Sequence, residues 1–159
     1  MKYQQPIRND KEYGEILNNN IPSCVDYAEN ACYRIQDTYV SFHSYTDASS
    51  KLQNAIQAEV SIYNAGERIS RGMIRKVLTL FFNQKEYTYT RLTALVSPDN
   101  LQAVKLARVC RFTEEGKLRE VYNGEDRIVF SILRREFEEL WAESLVHQKH
   151  HHHQIQLVQ

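Results

Sequence analysis

Asn100-Leu101-Gln102-Ala103-Val104-Lys105-Leu106-Ala107-Arg108-Val109-Cys110-Arg111-Phe112, followed by Thr113-Glu114-Glu115-Gly116-Lys117-Leu118-Arg119, is the stretch whose reading decides the fold. Pro98-Asp99-Asn100 breaks the segment before it. Between Leu101 and Cys110 the polar side chains fall only at Gln102, Lys105 and Arg108, which predicts a largely buried helix with one narrow wet stripe. Beyond it, Lys117 to Tyr122 and Asp126 to Leu133 flank Asn123-Gly124. Both turn positions tolerate positive φ, so these two runs read as a hairpin.

Upstream, the periods alternate between strand and helix. Tyr87 to Val96 alternates as a strand, and Met73, Ile74, Val77, Leu78, Phe81 and Phe82 form a stripe at helical spacing opposed by Arg75, Lys76 and Thr79. Ala55 to Tyr63 reads as another strand, with Ala58, Val60 and Ile62 on one side and Glu59, Ser61 and Tyr63 on the other. Ala31 to Gln36 and Thr38 to Tyr45, joined at Asp37, are two more. In the second of these, Val40 and Phe42 alternate against Tyr39, Ser41, His43 and Tyr45, the pattern of a sheet with one well-buried face. Asp47 to Ser50 is a polar connection. A short helix capped by Asp10 is expected over Asp10 to Ile16, stopped by Asn18-Asn19-Asn20 and Pro22. This order predicts an α/β sheet with the main helix crossing between parallel strands.

The chain has 159 residues, the length of one ordinary domain. Twenty basic against twenty acidic residues give no net charge, so nothing in the total balance points to nucleic acid or an anionic membrane as partner, and only a local patch is left open. Cys24, Cys32 and Cys110 are three, so they cannot all pair, and they are not spaced as a metal knuckle; they read as small core residues in a reducing compartment. Met1 to Asp10 is polar, and no run reaches the ~18 apolar residues of a membrane span. The expectation is a cytoplasmic protein with no membrane partner and no metal site.

The decisive stretch resembles the closing motif of the acyl-CoA N-acyltransferase (GNAT) superfamily. Asn100 starts a helix after a central strand, Ala103 and Phe112 follow at the expected positions, and Glu115-Gly116 with Arg119 opens a terminal hairpin. It is most similar to the ribosomal-protein alanine acetyltransferase branch, and the likeness is good from Ala58 to Glu136 and poor over the first ~55 residues. The resemblance implies an α/β GNAT fold, a central mixed sheet with flanking helices and a terminal β-hairpin. The acyltransferase-like domain then spans 1–136, an appended helix 137–146, and a flexible His-rich tail 147–159. The implied activity is acetyl transfer from acetyl-CoA, as co-substrate, to a primary amine, with a protein N-terminus as candidate acceptor.

In that family a loop of Gln or Arg, two residues, Gly, one residue, then Gly or Ala binds the pyrophosphate at a helix start. Here it corresponds to Glu67-Arg68-Ile69-Ser70-Arg71-Gly72: the last Gly is present, Ser70 replaces the first, and Glu67 stands where a Gln or Arg is usual. The candidate cofactor-binding residues are Arg68, Ser70, Arg71, Gly72, Met73, Asn100 and Lys105; taken without the resemblance, Ser70 is a plain helix cap. Arg111 occupies a usual Gly, tolerable if the turn has relaxed. Glu59 matches the family's catalytic base, although on its own it reads as a solvated strand residue; His43 on a neighbouring strand could do the same work. The general-acid Tyr of many members would fall at Ala107 and is absent.

These departures also admit a reading of another class. A degraded acyltransferase-like fold could serve as a binding or assembly part, for example a bacteriophage virion component. The helix from Arg134 to Val146, with Phe137, Leu140, Trp141, Ser144 and Leu145 on one stripe, either packs back on the domain or carries self-association or a protein partner, with Trp141 as anchor. Tyr87, Tyr89 and Arg91 interleave as a nucleic-acid surface can, but strand tyrosines more often pack on a sheet face. The tail from His147 to Gln159 could hold a transition metal only loosely and reads as a polar terminus.

Overall fold

The computed structural model describes residues 5–23, 25–44, 57–66, 68–85 and 88–141. Cys24, the connection from Asp47 to Ser50, the first residues of the expected third strand, Glu67, Tyr87, the far half of the appended helix and the His-rich tail lie outside the described residues. The elements are β1 (Ile7–Arg8), α1 (Asp10–Asn20), a 3-10 turn (Tyr27–Glu29), β2 (Ala31–Ile35), β3 (Thr38–Ser44), β4 (Gln57–Asn64), α2 (Arg71–Phe82), β5 (Arg91–Val96), α3 (Leu101–Val109), β6 (Thr113–Tyr122) and β7 (Glu125–Leu133). A last helix, α4, covers 134–141. The sheet has seven strands in the order β1-β2-β3-β4-β5-β7-β6. Its central pair, β4 and β5, is parallel with α2 as the crossover, and the other neighbours are antiparallel.

The helical stripe of α2 forms the core, since all six of its apolar residues are buried. Phe81 sits at the centre, with ring centroids 4.9 Å from Phe42, 4.9 Å from Phe82 and 4.4 Å from Tyr89. Burying a side chain of this size contributes about 2–3 kcal/mol. Tyr89 therefore belongs to the core and not to a nucleic-acid surface; β5 begins two residues later, at Arg91, and the Tyr89 hydroxyl meets Ser44 Oγ at 2.7 Å.

Three expectations need correction. First, α1 is capped by Asn9, whose side chain accepts from Glu12 N–H at 3.0 Å, leaving the Asp10 carboxylate to accept from Cys32 N–H at 2.9 Å. The helix also runs on through the Asn triplet to Asn20. Asn18 accepts from Tyr27 N–H and donates to Asp26 of the 3-10 turn region, and Asn20 donates back to Ile16 C=O in the last turn, so these side-chain bonds override the low helix propensity. Second, β3 is covered on both faces. Val40 and Phe42 lie in the α2 core, while Ser41, on the opposite face, is buried under α1 among Tyr13, Leu17, Tyr27 and Cys32. Third, α3 is not largely buried: only Val104 is, and Leu101 is 75% exposed. The hairpin is as expected, with Asn123 at φ 47° and Gly124 at φ 77°.

Candidate functional site

The sheet opens at its centre. β4 and β5 pair only at Gln57↔Arg91, Ala58↔Leu92 and Glu59↔Thr93, after which no register joins them, although β4 continues to Asn64 and β5 to Val96. Past that rung the facing edges of the two strands have lost their ladder partner. Between them lies a cleft of about 340 Å³, walled by Val60 and Ile62, by Ala94 and Val96, and by Ala103 and Ala107 of α3. The walls are mostly apolar, and the open strand edges supply polar backbone groups.

The start of α2 stands at this cleft, which Ile69 and Ile74 also line. Ser70 is the N-cap; its Oγ accepts from Met73 N–H at 3.0 Å, and Ile74 N–H bonds Ser70 C=O at 3.1 Å. The cap thus uses the Met73 N–H and leaves those of Arg71 and Gly72 as first-turn donors, where the helix dipole favours an anion. Arg68, Ser70, Arg71 and Gly72 are exposed, whereas the Met73 side chain is buried in the core. A Cβ on Gly72 would find only Ser70 Oγ, at 3.7 Å, so nothing crowds this approach. Asn100 caps α3 by accepting from Ala103 N–H at 3.1 Å and lines the cleft. Lys105 is exposed and lies across α3 from Ala103 and Ala107, so the fold does not bring it to the cleft.

At the last rung before the opening, one row of polar residues crosses the sheet: His43 on β3, Glu59 on β4, Thr93 on β5, Ser131 on β7 and Thr113 on β6 are successive cross-strand partners. Such partners hold their Cβ atoms about 4.5–5.5 Å apart. Both sequence candidates for the base therefore stand side by side. Asn30 orients the His43 ring. Its Nδ2 donates to Asp26 C=O at 3.1 Å, which turns Oδ1 toward His43 Nδ1 at 2.8 Å. A carbonyl oxygen only accepts, so in this bond His43 Nδ1 is the donor. Beside the row, Arg91 forks onto Glu115 of β6, with Nη1 to Oε1 at 2.8 Å, and its Nε donates to Thr93 Oγ1 at 3.2 Å. The Arg91 hydrogen bonds hold the Glu115 carboxyl at a pKa of about 2, against a slight upward push from burial. Thr93, Arg91 and Ser131 were not legible as site residues, because only the strand registers align them, and Asn30 reaches His43 from the end of the 3-10 turn.

The turn after α3 has not relaxed. Arg111 keeps φ 66°, with Arg111 N–H bonded to Arg108 C=O at 3.1 Å and Phe112 N–H to Ala107 C=O at 2.9 Å. This is a Schellman ending with arginine at the position that favours glycine. Phe112 packs back toward Ala107, closing the far wall of the cleft.

Solved structures share this fold. The chain superposes on a spermidine N-acetyltransferase from Vibrio cholerae with TM-score 0.62 at 19% identity, covering 84% of this chain and 97% of that one. An aminoglycoside acetyltransferase in complex with coenzyme A and kanamycin gives TM-score 0.61 at 14% identity, over 85% and 97% of the two chains. This chain has the acyl-CoA N-acyltransferase fold. A ribosomal-protein-S5-alanine acetyltransferase from Vibrio fischeri shares the acyltransferase fold more loosely, with TM-score 0.50, 19% identity, and coverage of 71% and 60%. No protein-family model and no curated protein matches the sequence. Within the acyltransferase fold, the parted β4 and β5 and the start of α2 meet at one cleft, which opens just past the Glu59 rung.

Proposed function

We propose that this chain transfers an acetyl group from acetyl-CoA to a primary amine, with a protein N-terminus as acceptor. The observation that carries the reading is the parting of β4 from β5 beyond Glu59↔Thr93, with the first turn of α2 at the resulting cleft. Open strand edges suit an extended chain bearing amides, as pantetheine is, and the N–H groups of Arg71 and Gly72 suit a pyrophosphate. The similar structures include one solved with coenzyme A, and all three described above are acetyltransferases by name. The protein N-terminus follows from the likeness of Glu115-Gly116 and Arg119 to the alanine acetyltransferase branch.

In this reading the acceptor amine lies over the polar row and gives a proton to Glu59, or to His43 beside it. The amine nitrogen then attacks the thioester carbonyl, the carbon–sulfur bond breaks, and the thiolate takes a proton, giving an N-acetyl amine and free CoA. With Ala107 where a tyrosine would stand, that proton comes back from the base or from water. Backbone N–H groups on the open edge of β4 offer themselves to the developing oxyanion.

The test is thiol release from acetyl-CoA in the presence of peptides with free or blocked N-termini. Free N-termini should support turnover, and Glu59→Gln should lower it on the order of a hundredfold. Turnover with neither peptide nor any small amine would favour the assembly-protein reading.

A further inference from the structure

We propose that Trp141 is a positioning residue: its indole is the platform that holds the Arg71 guanidinium at the mouth of the cleft, so that the appended helix sets affinity for the phosphate end of the ligand. The inference rests on the acyl-CoA reading above and concerns a part of the chain that reading does not use.

The helix α4 lies along α2 in the opposite direction. Phe137 stacks on Phe82 at the end of α2, with centroids 5.2 Å apart and an angle of 23°, and the Arg134 guanidinium lies 5.3 Å from the same Phe82 ring. One helical turn beyond Phe137, Trp141 reaches the start of α2, where the guanidinium carbons of Arg71 and Arg75 lie 5.1 Å and 5.7 Å from its ring. Trp141 is only 6% exposed and belongs to the main core. Of the two roles the sequence left open for this residue, the structure takes packing back on the domain.

The arginines themselves are oddly placed. The N-terminal end of a helix favours anions, yet α2 has no acidic residue in its first turn and begins with Arg71, with Arg68 just before it. Among the described residues, neither Arg71 nor Arg75 makes an ion pair. The helix dipole therefore works against Arg71 until an anion arrives between it and the first-turn N–H groups. The indole face offsets part of that repulsion and restricts the side chains, while a stacked guanidinium still points its N–H edge outward. Arg71 is also close enough for its charge to act on Cys110, which lines the cleft. A cation held at that spot and lacking a carboxylate is what a pyrophosphate requires.

Trp141 is the sole tryptophan of the chain, so its emission reports this contact directly. CoA titrated into the full chain should change the emission, and pantetheine, which lacks the phosphates, should not. By calorimetry, Trp141→Leu should weaken CoA binding roughly three- to tenfold while leaving pantetheine unaffected. Trp141→Phe, which keeps a ring and the packing, should lose less. Arg71→Met should lose as much, and Trp141→Leu should add nothing in its presence. If Trp141→Leu fails to give a cooperative melt, the Trp141→Phe and Arg71→Met pair carries the same comparison. Unchanged CoA affinity in folded variants, or equal losses for CoA and pantetheine, would overturn the inference and leave the acyl-CoA reading intact. A wild-type chain that binds no CoA would overturn both.

Discussion

Replacing Arg111 by glycine should make this protein more stable. Arg111 holds φ 66° at the end of α3, and both hydrogen bonds of the Schellman ending depend on that conformation. A left-handed backbone costs an L-residue roughly 1–2 kcal/mol. Glycine removes that cost but gives the unfolded chain extra freedom worth about 0.4–1 kcal/mol. The Arg111 side chain is exposed and makes no ion pair among the described residues, so its loss subtracts little. The net gain is on the order of 0.5–1 kcal/mol, which for a chain of this size is about 1–4 °C in Tm. Urea denaturation followed by circular dichroism would measure it as a higher midpoint with an unchanged slope. Arg111→Val should move the other way, because a branched Cβ suits positive φ least. A glycine variant no more stable than wild type, together with a harmless valine, would refute the strained turn.

Other consequences concern the opposite end of the sheet and its pH response. Gly14→Ala should destabilise despite alanine's better helix propensity, because the new Cβ would lie 2.4 Å from Ala28 Cα, a backbone atom that cannot move aside cheaply. A loss of about 2–3 kcal/mol is expected, visible as a fall in Tm of roughly 4–12 °C; an unchanged Tm would mean that α1 and the 3-10 turn do not meet this closely. Glu115 has a folded pKa of about 2 against a usual 4.5, so its pairing with Arg91 stabilises the fold fully above about pH 4.5 and is lost as pH falls toward 2. Because the pair is partly solvated, its loss should remove about 1 kcal/mol, and Glu115→Gln should flatten the stability curve over that window while wild type slopes. Equal slopes would show that the ion pair does not persist in solution.

How much of this was legible beforehand depended on whether a feature was local. The α2 stripe and the Asn123-Gly124 turn were, because a helical period and a pair of positive-φ residues act within a few positions. The same logic misled over α3, where apolar residues at Leu101 and Val109 suggested burial; only the face toward the cleft and sheet is covered, and both residues point elsewhere. Ser41 looked like a solvent-facing strand residue because nothing near it in sequence says that α1 returns to cover that face. For the site, Ser70, Gly72, Asn100 and Glu59 could be placed from motif order, and they gather at or beside the cleft, while Lys105 does not. Neither the end of the β4–β5 ladder nor the row from His43 to Thr113 has a sequence signal of its own. Both arise from strand register, which is settled only when all the strands pack together.

The most direct measurement of the central claim is calorimetric titration of acetyl-CoA into the wild-type chain and into Gly72→Asp. The position is exposed and roomy, so the variant should fold normally while setting a carboxylate at the first turn of α2. Micromolar binding by wild type, lost at least tenfold in the variant, is the result predicted for a cleft that seats the CoA pyrophosphate there. Failure of the wild-type chain to bind at millimolar ligand, or equal binding by both proteins, would contradict it.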